Sequence, residues 1–392
     1  MHHHSGGGSG VGRTSRRSFR AATAIGAVGL LTAGVTMGFL PVVAGAQTSH
    51  VKSYLACEVT DTGGINDHSF NASAWLGMQL AKNHAPAGTT ISIKNASSTS
   101  GSDYVPNINT FIADHCNIIV TVGFLMSDST WNAAVNNPTQ HFAIVDNTNG
   151  NPGDPGAIDP SKKSASNLLG LTYNTNEDGF LGGYEAAATS KTHTVATYGG
   201  AQFGSVTIYM DGFAYGVQYY NSHLPKGGHK VTLLGWNPAT QKGSFIGGAN
   251  PFSSPGLAQT LSTTFLQHGA STIFPVAGGD GLGTNAAVKT WNSSHSSKKA
   301  NVEWVDTNGC TNDAPDCNIF LSSVTKGVTA SVEAAVLTQV TGKFKGGNYV
   351  GTLKNGGVQY ITNSKYPASA AVLKEIKTLQ SAIIKGTIKV KT

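Results

Sequence analysis

Residues 59–75 read VTDTGGINDHSFNASAW, and this stretch decides the fold. A β-prone run ends at Thr60, a glycine-rich turn follows, and Ser69 is a good N-cap for the helical segment behind it. A strand, a turn and a covering helix form the repeating unit of parallel α/β sheets. Because ligands bind such sheets beyond the carboxyl ends of the strands, Asp61 and Phe70 are candidate binding residues. The alternative is that Asp61 only caps the turn and Phe70 belongs to the core.

The same alternation continues along the chain in two similar series, separated by a polar stretch at residues 147–166 that is rich in Pro, Gly, Asn and Ser. Predicted strands are residues 53–60, 90–94, 117–122, 140–145, 168–173, 194–198, 230–234, 272–276, 301–305 and 319–323. Predicted helices are residues 69–83, 103–114, 127–136, 177–190, 206–220, 256–268, 285–291, 327–340 and 368–384. The sequence therefore predicts an α/β protein with two lobes, each a doubly wound parallel sheet.

A chain of 392 residues is longer than one core usually serves, which agrees with two lobes. Elements left over at the C-terminus predict that the chain crosses back between the lobes, so that the hinge has several strands. The expected division is a leader at 1–46, a first lobe at 47–172 with about 324–346, and a second lobe at 173–323 with about 347–392.

Residues 1–46 have the pattern of an export signal. SRRSFR at 15–20 is a twin-arginine motif, residues 21–43 are small or apolar, and Ala-Gly-Ala at 44–46 is a cleavage signal. The alternative is a membrane anchor, because the apolar stretch is roughly long enough to span a bilayer. Its many Gly, Ala and Thr residues favour a cleaved twin-arginine signal peptide.

The net charge gives no support to nucleic-acid binding. It is +6 for the whole chain, and without residues 1–46, which hold four arginines and no acid, it falls to +2. No cluster of lysines with interleaved aromatic residues remains, so neither DNA nor RNA is an expected partner. Beyond the leader, no stretch is long and apolar enough to span a membrane.

Four cysteines follow the leader, and an even number in an exported protein predicts disulfides. The short spacing of Cys310 and Cys317 predicts a local bridge, which leaves Cys57 to pair with Cys116. The alternative is free or metal-bound thiols. Neither pair has C-x-x-C spacing, so we expect no metal site.

The opening stretch resembles the N-terminal signature of the basic membrane protein family, the purine nucleoside receptor A-like binding proteins of ABC transporters. The similarity continues through short motifs in order along the chain, at residues 122–124, 142–146, 179–187, 212–213, 243–245, 277–279, 305–306 and 322–326. The resemblance implies a two-lobed periplasmic-binding-protein fold of type I that closes on a purine nucleoside and delivers it to an ABC permease. It implies no catalysis and no cofactor, and we expect an exported monomer that reaches the membrane only through its permease.

The resemblance also implies roles for individual residues. Phe70 and Phe245 would hold the purine between their rings, and Asp146 would address the base. Asp306 and Lys326 would hydrogen-bond the ribose hydroxyls; the alternative for these two is a structural ion pair at the hinge. The other residues that the resemblance implies or suggests for the cleft are Asp61, Asn71, Asp128 and Gly278.

Two rival interpretations are open at this stage. No cysteine for lipid attachment lies near the cleavage site, which would suit a surface, adhesion or sensory protein on the same fold. The second rival is a dinucleotide-dependent enzyme, because residues 281–286 match G-x-G-x-x-A and precede Glu303 at about the expected spacing. No G-x-S-x-G, H-E-x-x-H or C-x-x-C motif is present, so the sequence favours a binding protein.

Overall fold

The computed structural model describes residues 51–149, 164–366 and 368–391. The predicted signal peptide lies outside these residues, as does most of the polar stretch at 147–166. In chain order, the first series consists of β1 (Lys52–Thr60), α1 (Phe70–Asn83), β2 (Thr89–Ser97), α2 (Tyr104–Ala113), β3 (Ile118–Val122), α3 (Ser127–Asn136), β4 (His141–Val145) and β5 (Leu168–Tyr173).

The second series begins with a helix and contains a short hairpin that the first series lacks. Its elements are α4 (Thr175–Thr189), β6 (Thr194–Gly199), α5 (Gly204–Ser222), β7 (Thr232–Leu234), β8 (Trp236–Asn237), β9 (Lys242–Gly243), α6 (Pro255–Gln267), β10 (Thr272–Val276), α7 (Gly281–Ser294), β11 (Asn301–Asp306), α8 (Gly309–Asn312), β12 (Phe320–Lys326), α9 (Val328–Val340), β13 (Gly347–Gly351), β14 (Val358–Thr362) and α10 (Ala370–Ile384).

Two six-stranded sheets organise the described residues, which confirms the predicted α/β fold. The first has the order β13-β5-β4-β3-β1-β2 with parallel pairing throughout. The second has the order β14-β12-β11-β10-β6-β7 and is parallel except for β14. Central strands such as Ile118–Val122 are buried along their whole length, as expected for strands covered by helices on both faces.

The chain passes between the sheets after β5, after β12 and between β13 and β14. The crossing segments are hydrogen-bonded to one another, since Asn174 N donates to Gly351 O and Gly327 N donates to Gly357 O. The division expected from the sequence assigned residues from about 347 onward to the second lobe, and this was wrong for β13. Parallel pairing with β5 puts this strand at the edge of the first sheet.

Both predicted disulfides are present. Cys57 on β1 is bonded to Cys116 just before β3, and Cys310 is bonded to Cys317 in the loop before β12. The first bridge ties two neighbouring strands of the first sheet, and the second closes a short loop. Among the described residues, no helix is both long and apolar enough to cross a membrane.

Candidate ligand-binding cleft

The carboxyl ends of strands from both sheets meet at one cleft. Strands β1, β3 and β4 end there from the first sheet, and β10, β11 and β12 from the second. The cleft encloses about 540 Å³ of space that no atom fills, part of it open to solvent. A cleft where two lobes meet, lined by apolar rings and a few polar groups, is a typical place for a small organic ligand.

The glycine-rich turn after β1 holds two buried aspartates with different tasks. The carboxylate of Asp67 accepts the backbone N–H groups of Ser69, Asn71 and Ala72 at 2.8–3.0 Å, so Asp67 caps α1. The Ser69 hydroxyl does not cap the helix. Asp61 instead lies at the cleft, where its Oδ1 accepts from Asn71 Nδ2 at 2.9 Å. The turn thus fixes Asn71 through two carboxylates.

Asp61 is only 5% exposed, and this burial raises the pKa of its carboxyl to about 6. Hydrogen bonds from Asn71 Nδ2 and Gly63 N lower the pKa only in part. Gly123, which follows β3, makes room for the carboxylate, because a Cβ at this position would collide with Asp61 Oδ2. Burial thus makes the Asp61 carboxyl a weaker acid than an ordinary aspartate.

A buried cluster of one lysine and two aspartates forms the centre of the cleft. Lys326 Nζ at the end of β12 lies 2.6 Å from Asp146 Oδ2 and 3.7 Å from Asp306 Oδ1. Burial lowers the pKa of Lys326, but the two carboxylates outweigh burial and raise it, so the ammonium stays charged. Burial raises the pKa of Asp146, and Lys326 counteracts this rise. The cluster joins the first sheet, through Asp146, to the second.

Asp306 also connects the lobes. Its Oδ2 accepts from the Ser69 hydroxyl at 3.2 Å. This hydroxyl therefore contacts Asp306 and does not cap α1. Its Oδ1 is buried and has no hydrogen-bond partner within the described residues. Asp146 and Asp306 both have left-handed backbone conformations, with φ values of 69° and 66°. Such conformations concentrate at functional sites, and a free acceptor beside them is available to a ligand hydroxyl.

Four phenylalanines supply the apolar walls of the cleft. The Phe70 ring lies beneath Lys326, whose Nζ is 5.0 Å from the ring centroid. Across the cleft, the Phe203 ring is 4.9 Å from Phe124 and 6.3 Å from Phe252. Phe124 follows a strand of the first sheet, whereas Phe203 and Phe252 belong to the second lobe. Both lobes therefore present aromatic surfaces.

The structure brings together most of the site residues predicted from the sequence. The cleft is lined by Asp61, Phe70, Asn71, Asp146, Gly278, Asp306 and Lys326. It is also lined by Phe124, Phe203 and Phe252, which the sequence reasoning did not single out. Position in the chain was the signal that could have found two of them. Phe124 is the second residue after β3, and Phe252 lies three residues before α6 begins at Pro255.

Two residues that were predicted to bind the ligand do not line the cleft. Phe245 does not line the cleft: it forms a β-bridge with Gly199, and its ring lies 5.9 Å from that of Trp236. The β8–β9 hairpin holds this part of the chain along β6, and the segment behind it carries Phe252 to the cleft instead. Asp128 lies on the first turn of α3, where it is exposed to solvent and does not line the cleft.

The residues of the dinucleotide motif lie elsewhere. Residues 281–286 open α7, but Glu303 is fully buried within β11, where both carboxylate oxygens accept from the Ser322 hydroxyl at 2.7 and 2.8 Å. Glu303 is therefore occupied inside the sheet. Within the described ranges, no three His, Cys, Asp or Glu side chains are close enough together to hold a metal ion.

Comparisons with known proteins agree with this geometry. The model of the PnrA-like ABC transporter substrate-binding proteins matches residues 55–225 and 247–392. The ABC transporter nucleoside-binding protein BmpA of Lactococcus lactis subsp. cremoris is 30% identical over 378 residues, 94% of this chain and 97% of that protein. The CD4+ T-cell-stimulating antigen of Listeria monocytogenes is 27% identical over 346 residues, 86% of this chain and 88% of that protein.

A solved solute-binding protein of an ABC transporter system from Aeropyrum pernix K1 has the same fold. It is 22% identical, with a TM-score of 0.70, and the match covers 86% of this chain and 92% of that one. The two lobes are thus those of a type I periplasmic binding protein. Since the family model matches most of the sequence, the chain belongs to the PnrA-like family of ABC transporter substrate-binding proteins.

Proposed function

We propose that this protein captures a purine nucleoside between its lobes and delivers it to an ABC permease. The observation that carries the proposal is the combination, in one cleft, of aromatic rings from both lobes with buried carboxylates. A nucleoside needs both features, because its base stacks on aromatic rings and its ribose donates hydroxyl protons. The nucleoside-binding relative supports the same ligand class.

The base would lie against Phe70 on the side of the first lobe and against Phe252 on the other. Stacking on an aromatic ring contributes about 1 to 3 kcal/mol per base. Asp61 and Asp146 are the carboxylates of the first lobe that would accept from the base. The role of second stacking ring passes from Phe245 to Phe252.

The ribose would be held by Asp306 and Lys326. Asp306 Oδ1 accepts no hydrogen bond within the described residues, so it is available to a donating hydroxyl. Hydrogen bonds to a carboxylate are stronger than those between neutral groups. The ammonium of Lys326 lies 3.7 Å from the same carboxylate oxygen and is the cationic partner of the pair. The proposal thus gives the buried cluster a binding role in addition to a structural one.

Closure of the lobes would complete the site. Contacts from Ser69 to Asp306 and from Lys326 to Asp146 link the two sheets, and so does the approach of Phe124 to Phe203. The crossing segments near residues 174, 327 and 351–357 would act as the hinge. Ligand binding and closing are then one equilibrium, since only the closed state offers both sets of contacts.

The predicted signal peptide implies that the protein acts outside the cytoplasm, as an exported monomer that meets its permease at the membrane. Its role is capture and not catalysis. Loss of the gene should then abolish uptake of the nucleoside that the protein binds. Tight binding without any effect on uptake would favour the sensory or adhesion alternative.

Calorimetry with adenosine, guanosine and inosine, beside ribose, free purine bases and amino acids, tests the ligand class. We expect heat and saturation with at least one nucleoside and much weaker binding of ribose or the base alone. Absence of binding to every nucleoside would refute the proposed ligand.

Replacing Asp306 by alanine should weaken nucleoside binding roughly 10- to 100-fold, because a hydrogen bond to a buried charged group contributes about 1.5–3 kcal/mol. Binding of the free base should change much less. Calorimetry with both ligands measures the difference, and Asp128→Ala on exposed α3 is the matched control. Equal losses for nucleoside and base would contradict a ribose contact.

Replacing Phe252 by alanine should weaken nucleoside binding about 5- to 150-fold, which corresponds to the loss of one stacked ring. Replacing Phe245 in the same way should leave the affinity nearly unchanged, since its ring packs on Trp236 outside the cleft. Titrations of the two variants decide between these rings. A larger loss at Phe245 would restore the assignment made from the sequence.

A further inference from the structure

The C-terminal part of the chain differs in charge from the rest of the protein. Residues 342–392 contain 9 lysines and a single acid, a net charge of +8. Residues 47–341 contain 13 lysines and 19 acids, a net charge of −6. The charge asymmetry is therefore built into one end of the exported chain, and nothing in the proposed cleft uses it.

The lysines of this part are free to meet a partner. All nine are exposed, and none takes part in an ion pair within the described residues; they are Lys343, Lys345, Lys354, Lys365, Lys374, Lys377, Lys385, Lys389 and Lys391. Exposed like charges without counter-charges create a local positive potential.

Helix α10 arranges three of these lysines on one face. Ile376, Leu379 and Ile383 are buried in the apolar cluster that also contains Phe180 of α4. At 100° per residue, Lys374, Lys377 and Lys385 project from the opposite face within an arc of about 80° that also contains Ala370 and Ser381. The single acid, Glu375, is half-buried and lies near Tyr184 and Tyr219 instead.

The tail behind α10 extends the same pattern. Ile388 and Val390 pack on the core, whereas Lys389 and Lys391 between and beyond them are exposed. Asn176 Nδ2 holds the tail in place by donating to Val390 O at 2.9 Å and to Lys391 O at 3.3 Å. We call these five lysines, at positions 374, 377, 385, 389 and 391, the basic face.

We propose that the basic face docks on the anionic phospholipid surface of the membrane. Protein interfaces are enriched in arginine and aromatic residues and depleted in lysine, whereas the basic face consists of lysines with neither. A diffuse lysine surface fits a fluid array of phosphate groups. The apolar side of α10 is occupied by the core, so the contact is electrostatic and reversible and inserts nothing into the bilayer.

Attraction between the basic face and an anionic surface would turn the C-terminal part of the molecule toward the membrane. Docking would raise the concentration of the protein near membrane-embedded partners. It does not depend on which ligand the cleft binds.

Flotation of the full chain with phosphatidylcholine vesicles, with and without phosphatidylglycerol, tests the proposal. We expect binding only when phosphatidylglycerol is present, with loss of binding as salt is raised through physiological ionic strength. A lysine near an anionic membrane strengthens binding about fivefold. The triple variant Lys374→Gln, Lys377→Gln, Lys385→Gln should therefore bind the vesicles at least tenfold more weakly. The arginines of residues 13–20 are left unchanged in every sample.

The matched control removes the same charge from the second lobe, by Lys191→Gln, Lys226→Gln and Lys230→Gln, and should bind vesicles like the original chain. Nucleoside affinity should be unchanged in both triple variants, which verifies their folding separately from membrane binding. Equal loss in both variants, or no dependence on phosphatidylglycerol, would overturn the proposal. Soluble poly-aspartate that binds the basic face more tightly than the vesicles do would assign it to an acidic protein instead, and would also overturn it.

Discussion

The Lys326→Met variant should lose about 3–5 kcal/mol of unfolding free energy and should bind nucleoside at least roughly a hundredfold more weakly. Methionine retains the length of the side chain but removes the ammonium group that Asp146 and Asp306 share. Two buried carboxylates are then left without a counter-charge. Removal of one partner of a buried pair is costly because the remaining charge is neither hydrated nor paired.

Urea unfolding measures the loss, and Lys289→Met is the matched control. Lys289 Nζ also binds an aspartate, Asp316 at 2.8 Å, but its side chain is 51% exposed, so its loss should change stability by less than about 1 kcal/mol. Adding Asp146→Asn to Lys326→Met should restore part of the stability without restoring binding. Equal effects of the two lysine substitutions would contradict the central role of Lys326.

Most of the fold was predictable because its strands are buried and continuous in sequence. The predicted strand at 168–173 and helix at 127–136 coincide with β5 and α3. Strands β13 and β14 were missed, since they are short edge strands in a glycine-rich segment and only alternate residues of β13 are shielded. Pairing with β5 and β12, distant along the chain, is what makes them strands, and local patterns do not contain that information.

The site residues also divide into those that could be predicted from the sequence and those that could not. Asp61 was predictable because ligands bind parallel sheets beyond the carboxyl ends of the strands. Asp146 and Asp306 were predicted from the resemblance to the family, and they too lie at strand ends, after β4 and at the end of β11. The segment 237–254 contains two phenylalanines, and only its tertiary contacts decide which one reaches the cleft. Asp211 fixes the hairpin by accepting from Trp236 Nε1 and Gln241 Nε2, both at 2.9 Å.

Ser69 shows a local rule overridden by the contact between the lobes. Its position ahead of α1 predicts that its hydroxyl caps the helix. Asp67 takes over the capping, which frees the hydroxyl to donate to Asp306 in the other lobe. A single sequence gives no sign of this exchange, because both residues are good caps.

The Asp61→Asn variant should be more stable than the original protein at neutral pH and should bind ligand worse. The folded protein holds the Asp61 proton with a pKa of about 6, whereas an unfolded aspartate has a pKa of about 3.9. Because the folded state therefore binds more protons between these values, its stability falls as the pH rises from about 4 to about 6. Asparagine retains an oxygen for Asn71 Nδ2 and Gly63 N but carries no charge, so this fall is removed.

The difference in unfolding free energy between the variant and the original protein should thus be near zero around pH 4 and reach up to about 3 kcal/mol in favour of the variant above pH 7. Urea unfolding across this pH range measures the difference. The contributions of the other buried acids cancel, because both proteins contain them. Nucleoside affinity at neutral pH should fall by roughly tenfold or more, since an amide replaces the carboxylate that faces the cleft. A stability difference that does not change with pH would show that the Asp61 carboxylate is not strained by burial. A gain in stability coupled to a loss of binding would mean that the cleft keeps a costly buried charge because the ligand needs it.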